Sequence, residues 1–119
     1  MFEVEVSQEG SIRTIGLVGE CDLQMFPDVD ELFSKSLSDG FSAVRVDLRG
    51  LTFIDSSGIR ALLIATQRAK ESGSMLSIIP GSPTVMRVFE MLGLQGEFPF
   101  EDVDGWGVRA AESGGATKA

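Results

Sequence analysis

Residues 47–59 read DLRGLTFIDSSGI, which is the pattern of a buried strand that leads into an exposed loop and then opens a helix. The alternating sequence AVRVDL over residues 43–48 predicts the strand. We expect a turn at residues 49–50, where arginine and glycine interrupt the pattern, and an extended segment over residues 51–54. The apolar residues that follow recur at helical spacing, so the segment as a whole predicts one strand–loop–helix unit.

The junction between this strand and this helix carries three polar residues, Asp55, Ser56 and Ser57. All are residue types that cap helix N-termini, so by themselves they predict no more than a helix cap. At such a position, however, unpaired backbone N–H groups and the positive end of the helix dipole face outward. A hydroxyl group there is accessible, and we expect a phosphate placed on it to meet free backbone donors.

Strands and helices alternate along the rest of the chain, in the order β-β-α-β-α-β-α. The predicted strands are residues 2–6, 12–18, 43–48 and 75–79, with a loop over residues 19–22. The predicted helices are residues 27–38, about 59 to 73 and 83–92, with an irregular segment or short edge strand over residues 94–100 and a weak last helix over residues 103–112. We therefore predict one α/β domain over residues 1–112, with a mixed, mostly parallel sheet, an N-terminal hairpin and packed helices. Residues 113–119 are predicted to be a disordered tail.

Composition and charge argue against several classes of function. The chain has 119 residues, a formal net charge of −8 and no basic cluster, so we expect it to bind neither nucleic acid nor anionic membranes. It contains no histidine and no tyrosine, and it has neither a Walker loop nor a GxGxxG motif. We therefore expect a protein that is not an enzyme and that holds no cofactor and no metal. No apolar run is long enough to cross a bilayer and no signal sequence is evident, which predicts a cytoplasmic protein.

From residue 4 to residue 98 the chain resembles the STAS domain of anti-sigma factor antagonists. Several separate blocks carry the resemblance in the right order and spacing: GECD at 19–22, VDL at 46–48, FIDSSG at 53–58, PGSP at 80–83 and VMRVFEMLGL at 85–94. The resemblance implies a single STAS-like domain that acts by binding other proteins.

The resemblance also implies a mechanism and a set of site residues. Proteins of this kind bind an anti-sigma factor, which is often itself a serine kinase, and thereby release a sigma factor for transcription. The kinase phosphorylates the serine directly after the aspartate, here Ser56, which inactivates the antagonist, and a PP2C-type phosphatase reverses the modification. Asp22 and Asp55 match acidic positions beside this serine, and Ser57 and Gly58 match the start of its helix. These residues are therefore the expected partner-binding residues.

The residues leave two other functions open. STAS scaffolds of stressosomes and small cytosolic subunits of lipid-transport complexes share the fold, although they often vary where this chain reads DSSG. Alternatively, Asp22, Asp47 and Asp55 could hold Mg²⁺ in a nucleotide-binding protein, since carboxylate oxygens are ligands for this ion. The absence of a glycine-rich phosphate loop disfavours the second alternative.

Two further residues near Ser56 each have two interpretations. Arg60 lies one turn beyond Ser56, where similar proteins often have a small residue. It could reach a phosphate on Ser56, but we favour a solvated surface residue. Cys21, in the predicted loop, could be a redox-sensitive thiol, but we favour a small buried residue because no basic group is evident to stabilise a thiolate.

Overall fold

Alternating apolar residues form the four strands of a computed structural model, which describes residues 1–101. The strands are β1 (Phe2–Glu9), β2 (Ile12–Cys21), β3 (Ala43–Ile54) and β4 (Met75–Ile79), and they form a single mixed sheet in the order β1-β2-β3-β4. β1 pairs antiparallel with β2, whereas β2, β3 and β4 pair parallel. The predicted fold class, an α/β domain with a mostly parallel sheet and an N-terminal hairpin, is confirmed. The weak helix predicted over residues 103–112, the tail predicted over residues 113–119 and the boundary between them lie outside the described residues.

Two helices connect the parallel strands, α1 (Phe26–Ser38) between β2 and β3 and α2 (Ser56–Ser72) between β3 and β4. A third, α3 (Pro83–Met91), follows β4, and short 3-10 helices lie at Leu23–Met25 and Gln95–Glu97. Ser82 caps α3 by accepting a hydrogen bond from the Val85 amide at 3.3 Å. Gly73 ends α2 in the left-handed conformation, at φ +75°, which glycine adopts without strain. The helices predicted in this part of the chain are confirmed, and none in residues 1–101 is long and apolar enough to cross a membrane.

The core lies on one face of the sheet, under the helices. Buried apolar residues alternate with partly exposed ones along β2 and along the first half of β3. They form one cluster with the buried faces of the helices; its members include Ile15, Leu17, Val44, Val46, Leu48, Val29, Phe33, Ile59 and Leu62. Full burial of one such side chain contributes about 1.5–3 kcal/mol. This cluster holds the start of α2 against the ends of β2 and β3.

β3 is longer than the sequence predicts. The sequence predicts a turn at residues 49–50, but the strand continues through it to Ile54. Asp47 faces Gly16 while Gly50 faces Val18, so β3 carries an extra residue in a β-bulge and does not leave the sheet. A Cβ at Gly50 would lie 2.9 Å from Val18 Cγ2, so glycine allows the strands to approach this closely. The predicted turn is therefore wrong, and its glycine serves strand pairing.

β2 also runs further than the sequence predicts. A loop is predicted over residues 19–22, but the strand continues to Cys21. Gly19 has φ +98°, and a Cβ at this position would collide with the carbonyl oxygen of Met1. Glycine permits this conformation inside a strand, so the residue marks an irregular strand and not its end.

The last described residues pack along β4. Ile78 donates a backbone hydrogen bond to Pro99 at 3.0 Å, and Glu101 donates one to Ile78 at 2.8 Å. The Glu101 carboxylate accepts two hydrogen bonds from the Arg45 guanidinium, at 2.8 and 2.7 Å, which hold the pKa of Glu101 below its usual value. Residues 94–100 thus form a largely irregular segment that joins the edge of the sheet at a single bridge.

Candidate functional site

The candidate site begins at the junction of β3 and α2. Asp55 has extended backbone angles, φ −110° and ψ −176°, and is the N-cap of α2. Its Oδ1 accepts hydrogen bonds from the Ser57 amide at 2.9 Å and from the Gly58 amide at 3.1 Å. Ser56 is the first residue of the helix and is exposed. The structure thus places an accessible hydroxyl group at a helix start, which is the physical requirement for modification of Ser56.

The backbone donors at this helix start are largely occupied. The sequence predicts free N–H groups around Ser56, but Asp55 binds the amides of Ser57 and Gly58. The amide of Ile59 donates to the Asp55 carbonyl oxygen at 3.1 Å. The expectation of free donors is therefore wrong for the Ser57 and Gly58 amides, because the Asp55 carboxylate already accepts from both. A phosphate on Ser56 would have to compete with Asp55 for these donors.

Parallel pairing brings a second aspartate to the same edge of the sheet. Cys21 and Ile54, the last residues of β2 and β3, face each other, so Asp22 and Asp55 follow at the same level. The Asp55 amide donates to the Cys21 carbonyl oxygen at 3.2 Å, which joins the two strand ends. Asp22 accepts a hydrogen bond from the Gln24 amide at 3.1 Å and so caps the first 3-10 helix. Both carboxylates lie at the predicted site, and their contact with a partner stays a prediction.

Gly58 is buried and has a packing role in the structure. A Cβ at this position would lie 2.8 Å from Ile54 Cγ1 and 3.0 Å from Cys21 Sγ. The first turn of α2 therefore lies directly on the ends of β2 and β3, where no side chain fits. Ser57 is half-buried. These two residues position Ser56, and a direct contact of either with a partner stays a prediction.

Cys21 lies in the core directly beneath the site. It is the last residue of β2 and is 1% exposed, whereas the sequence predicts a loop position. Burial, together with the charges of Asp55 and Asp22, raises the pKa of the thiol to about 11. The interpretation as a small buried residue is confirmed, and burial disfavours a redox-sensitive thiol because the thiolate is the reactive form.

Two exposed apolar residues flank the site, and the sequence analysis missed them. Leu23, directly after Asp22, is 70% exposed, and Phe53, just before the end of β3, is 48% exposed. Phe53 directly precedes the buried Ile54, and successive side chains of a strand point to opposite faces of the sheet. This alternation is the signal that could have identified Phe53 as exposed. Large exposed apolar side chains beside polar loop residues are typical of protein–protein interfaces.

Arg60 is exposed on α2, one turn after Ser56. Its guanidinium carbon lies 5.7 Å from the centre of the Phe26 ring at the start of α1. Among the ion pairs of residues 1–101, none involves Arg60. The exposure of Arg60 confirms the favoured interpretation as a surface residue. Its side chain also lies against Phe26 of the neighbouring helix α1.

The structure does not assemble the magnesium site considered from three aspartates. Within the described range, no group of three or more His, Cys, Asp or Glu residues lies close enough to hold a metal ion. Asp47 is engaged by Arg49, whose Nε and Nη2 donate to it at 3.0 and 2.9 Å. Burial raises the pKa of Asp47, but the hydrogen bonds and charge of Arg49 outweigh this effect and hold it below its ordinary value. Asp22 and Asp55 are engaged as helix caps.

Comparison with known sequences identifies the family. The family described as "Mlab, STAS domain" matches residues 4–101. A protein of Staphylococcus aureus named anti-sigma-B factor antagonist is 26% identical over 95 residues, which cover 79% of this chain and 87% of the relative.

Similar solved structures share the fold. An anti-sigma factor antagonist from Mycobacterium paratuberculosis has a TM-score of 0.76 at 18% identity, over 87% of each chain. The Bacillus cell fate determinant SpoIIAA in its phosphorylated form has a TM-score of 0.66 at 23% identity, over 88% of this chain and 93% of the other. At these identities the likeness shows the fold alone, whereas the family match covers nearly all of the described residues. The chain therefore belongs to the STAS domain family.

Proposed function

We propose that this protein is an anti-sigma factor antagonist, a binding protein without enzymatic activity that binds an anti-sigma factor and so releases a sigma factor. The observation that carries the proposal is the exposed hydroxyl of Ser56 at the first position of α2, next to the Asp55 cap. The relative from Staphylococcus aureus, which is named an anti-sigma-B factor antagonist, supports it.

The proposed binding surface surrounds Ser56. Leu23 and Phe53 supply exposed apolar side chains of the kind that fill pockets on a partner. Asp22 and Asp55 supply carboxylates at the same edge of the sheet, and these suit a partner with a basic surface. The net charge of −8 favours association with such a partner.

Phosphorylation of Ser56 is the proposed switch, and the proposed kinase is the anti-sigma factor itself. A phosphate adds about −1.5 to −2 charges beside the Asp55 carboxylate. A partner surface shaped for a neutral hydroxyl then meets additional bulk and negative charge, which costs several kcal/mol when charges are unpaired at an interface. A loss of about 2.8 kcal/mol weakens binding about a hundredfold. A PP2C-type phosphatase would restore the antagonist, and the proposal places this exchange in the cytoplasm, where sigma factors act.

The test is the affinity for an anti-sigma factor encoded in the same genome, measured by isothermal titration calorimetry. Ser56→Ala is expected to bind as the unmodified chain does, and Ser56→Glu at least about tenfold more weakly, because a carboxylate carries part of the charge of a phosphate. Thr84→Glu is the matched control, since Thr84 is also an exposed hydroxyl residue in the first turn of a helix, α3. Equal affinities of Ser56→Glu and the unmodified chain contradict the switch.

The alternative is a STAS scaffold or a small cytosolic subunit of a stressosome or lipid-transport complex. The same calorimetry distinguishes it. If the chain binds no anti-sigma factor of its genome but forms a stoichiometric complex with a purified transporter ATPase or stressosome protein, the antagonist function is contradicted.

A further inference from the structure

Arg60 lies on the same face of α2 as Ser56. The two residues are separated by one helical turn, a spacing at which Cβ atoms lie about 5–6 Å apart. Side chains on a helix lean towards its N-terminus, so a rotamer of Arg60 that extends over the turn containing Ser56 is open to this side chain. Both residues are exposed. A group attached to the Ser56 hydroxyl is therefore within reach of the Arg60 guanidinium.

Within residues 1–101 of the unmodified protein, the contact that Arg60 makes is a weak one. Its guanidinium carbon is 5.7 Å from the centre of the Phe26 ring, near the outer limit of a cation–π contact. No ion pair to Arg60 occurs within residues 1–101. Charge-assisted hydrogen bonds to a phosphate are stronger than an exposed cation–π contact, so a phosphate nearby would draw the guanidinium away from the ring.

The backbone at this helix start has few donors to offer a phosphate on Ser56. Asp55 Oδ1 already binds the Ser57 and Gly58 amides, at 2.9 and 3.1 Å. A dianion on Ser56 would thus lie beside a carboxylate that already occupies the next two backbone amides. Arg60 supplies the missing charge and a planar set of N–H donors that matches phosphate oxygens.

We propose that Arg60 is the residue that binds the phosphoryl group when Ser56 is phosphorylated, and that its guanidinium leaves the Phe26 ring to do so. This rests on the proposed function, because it takes Ser56 as the modified residue. An anion one turn N-terminal to a cation is also the favourable order on a helix. Arg60 thereby stabilises the dianionic form of the phosphate.

The test needs neither a kinase nor a partner. Phosphoserine is encoded at position 56 during synthesis of the full chain, and ³¹P NMR measures the second pKa of the phosphate. With Arg60 present we expect this pKa to lie at least about 0.3 pH unit lower than in Arg60→Ala or Arg60→Gln, a twofold change in proton affinity. Arg87→Ala, which removes an exposed arginine from α3, is the matched control and is expected to leave the value unchanged.

Equal phosphate pKa values with Arg60 and in both variants overturn the proposal. An equal shift in Arg87→Ala also overturns it, because the effect would then follow net charge and not contact. The two arginine variants differ in polarity, so a folding defect in one leaves the other to decide. Since no partner is present, failure here is distinct from failure of the proposed antagonist function, which the calorimetry tests separately.

Discussion

Substitutions of Asp55 separate its role as a helix cap from its role as a charge. Asp55→Asn keeps an oxygen that can accept hydrogen bonds from the Ser57 and Gly58 amides, and Asn and Asp are similarly favoured as N-caps. Asp55→Ala removes the acceptor and leaves both amides without a partner. We expect Asp55→Ala to lower the free energy of unfolding by about 1 kcal/mol, and Asp55→Asn by less than about 0.5 kcal/mol.

Urea denaturation followed by circular dichroism measures these differences. For a domain of about 100 residues, 1 kcal/mol corresponds to about 4–8 °C in Tm, so thermal unfolding gives a second reading. On the same samples, Asp55→Asn is expected to bind the anti-sigma factor more weakly, because it loses the charge but keeps the fold. Asp28→Asn is the control, since Asp28 is an exposed acidic residue in the first turn of α1. If Asp55→Asn loses as much stability as Asp55→Ala while its folded fraction binds normally, Asp55 has no role in recognition and the reasoning is refuted.

Three further predictions concern the surroundings of the site. Gly58→Ala adds a Cβ that would lie 2.8 Å from the nearest side-chain atom, and the overpacking is expected to cost about 1–3 kcal/mol in thermal unfolding; an unchanged Tm would contradict the close approach. The Cys21 thiol has a pKa of about 11, so it is protonated at pH 7, and its alkylation in the folded protein is expected to be slow and to accelerate as pH rises towards that value. Rapid alkylation at pH 7 would show that the thiol is not buried in solution. Leu23→Ser and Phe53→Ser are each expected to weaken anti-sigma factor binding about tenfold or more in surface plasmon resonance, whereas Met75→Ser, at a residue that is 72% exposed at the start of β4, is expected to leave it unchanged. Equal losses in all three variants would indicate a general loss of apolar surface.

The start of α2 could be predicted from the sequence because its signals are local. Asp55 is a favoured cap residue, and the apolar residues after it recur at helical spacing, so the position of Ser56 follows from neighbours within a few residues. The same holds for Ser82 at the start of α3 and for Gly73 at the end of α2. These features depend on hydrogen bonds within one turn of the chain.

The features that the sequence analysis missed depend on residues far apart in the chain. Gly50 stays in the sheet because β3 pairs with β2 through a bulge, and a local pattern does not contain that register. The exposure of Leu23 and Phe53 follows from where the ends of β2 and β3 meet. Two of the donors expected to be free near Ser56, the Ser57 and Gly58 amides, are occupied because the Asp55 side chain turns back onto them, which the residue type allows but does not dictate.

Displacement of the sigma factor is the most direct test of the proposed switch. A labelled sigma factor is bound to its anti-sigma factor, and fluorescence anisotropy follows its release as this protein is added. The unmodified chain is expected to release the sigma factor, and the chain with phosphoserine encoded at position 56 is expected to need about a hundredfold higher concentration, which corresponds to about 2.8 kcal/mol of lost binding. Release at the same concentration by both forms, or by neither, would contradict a phosphorylation-controlled antagonist.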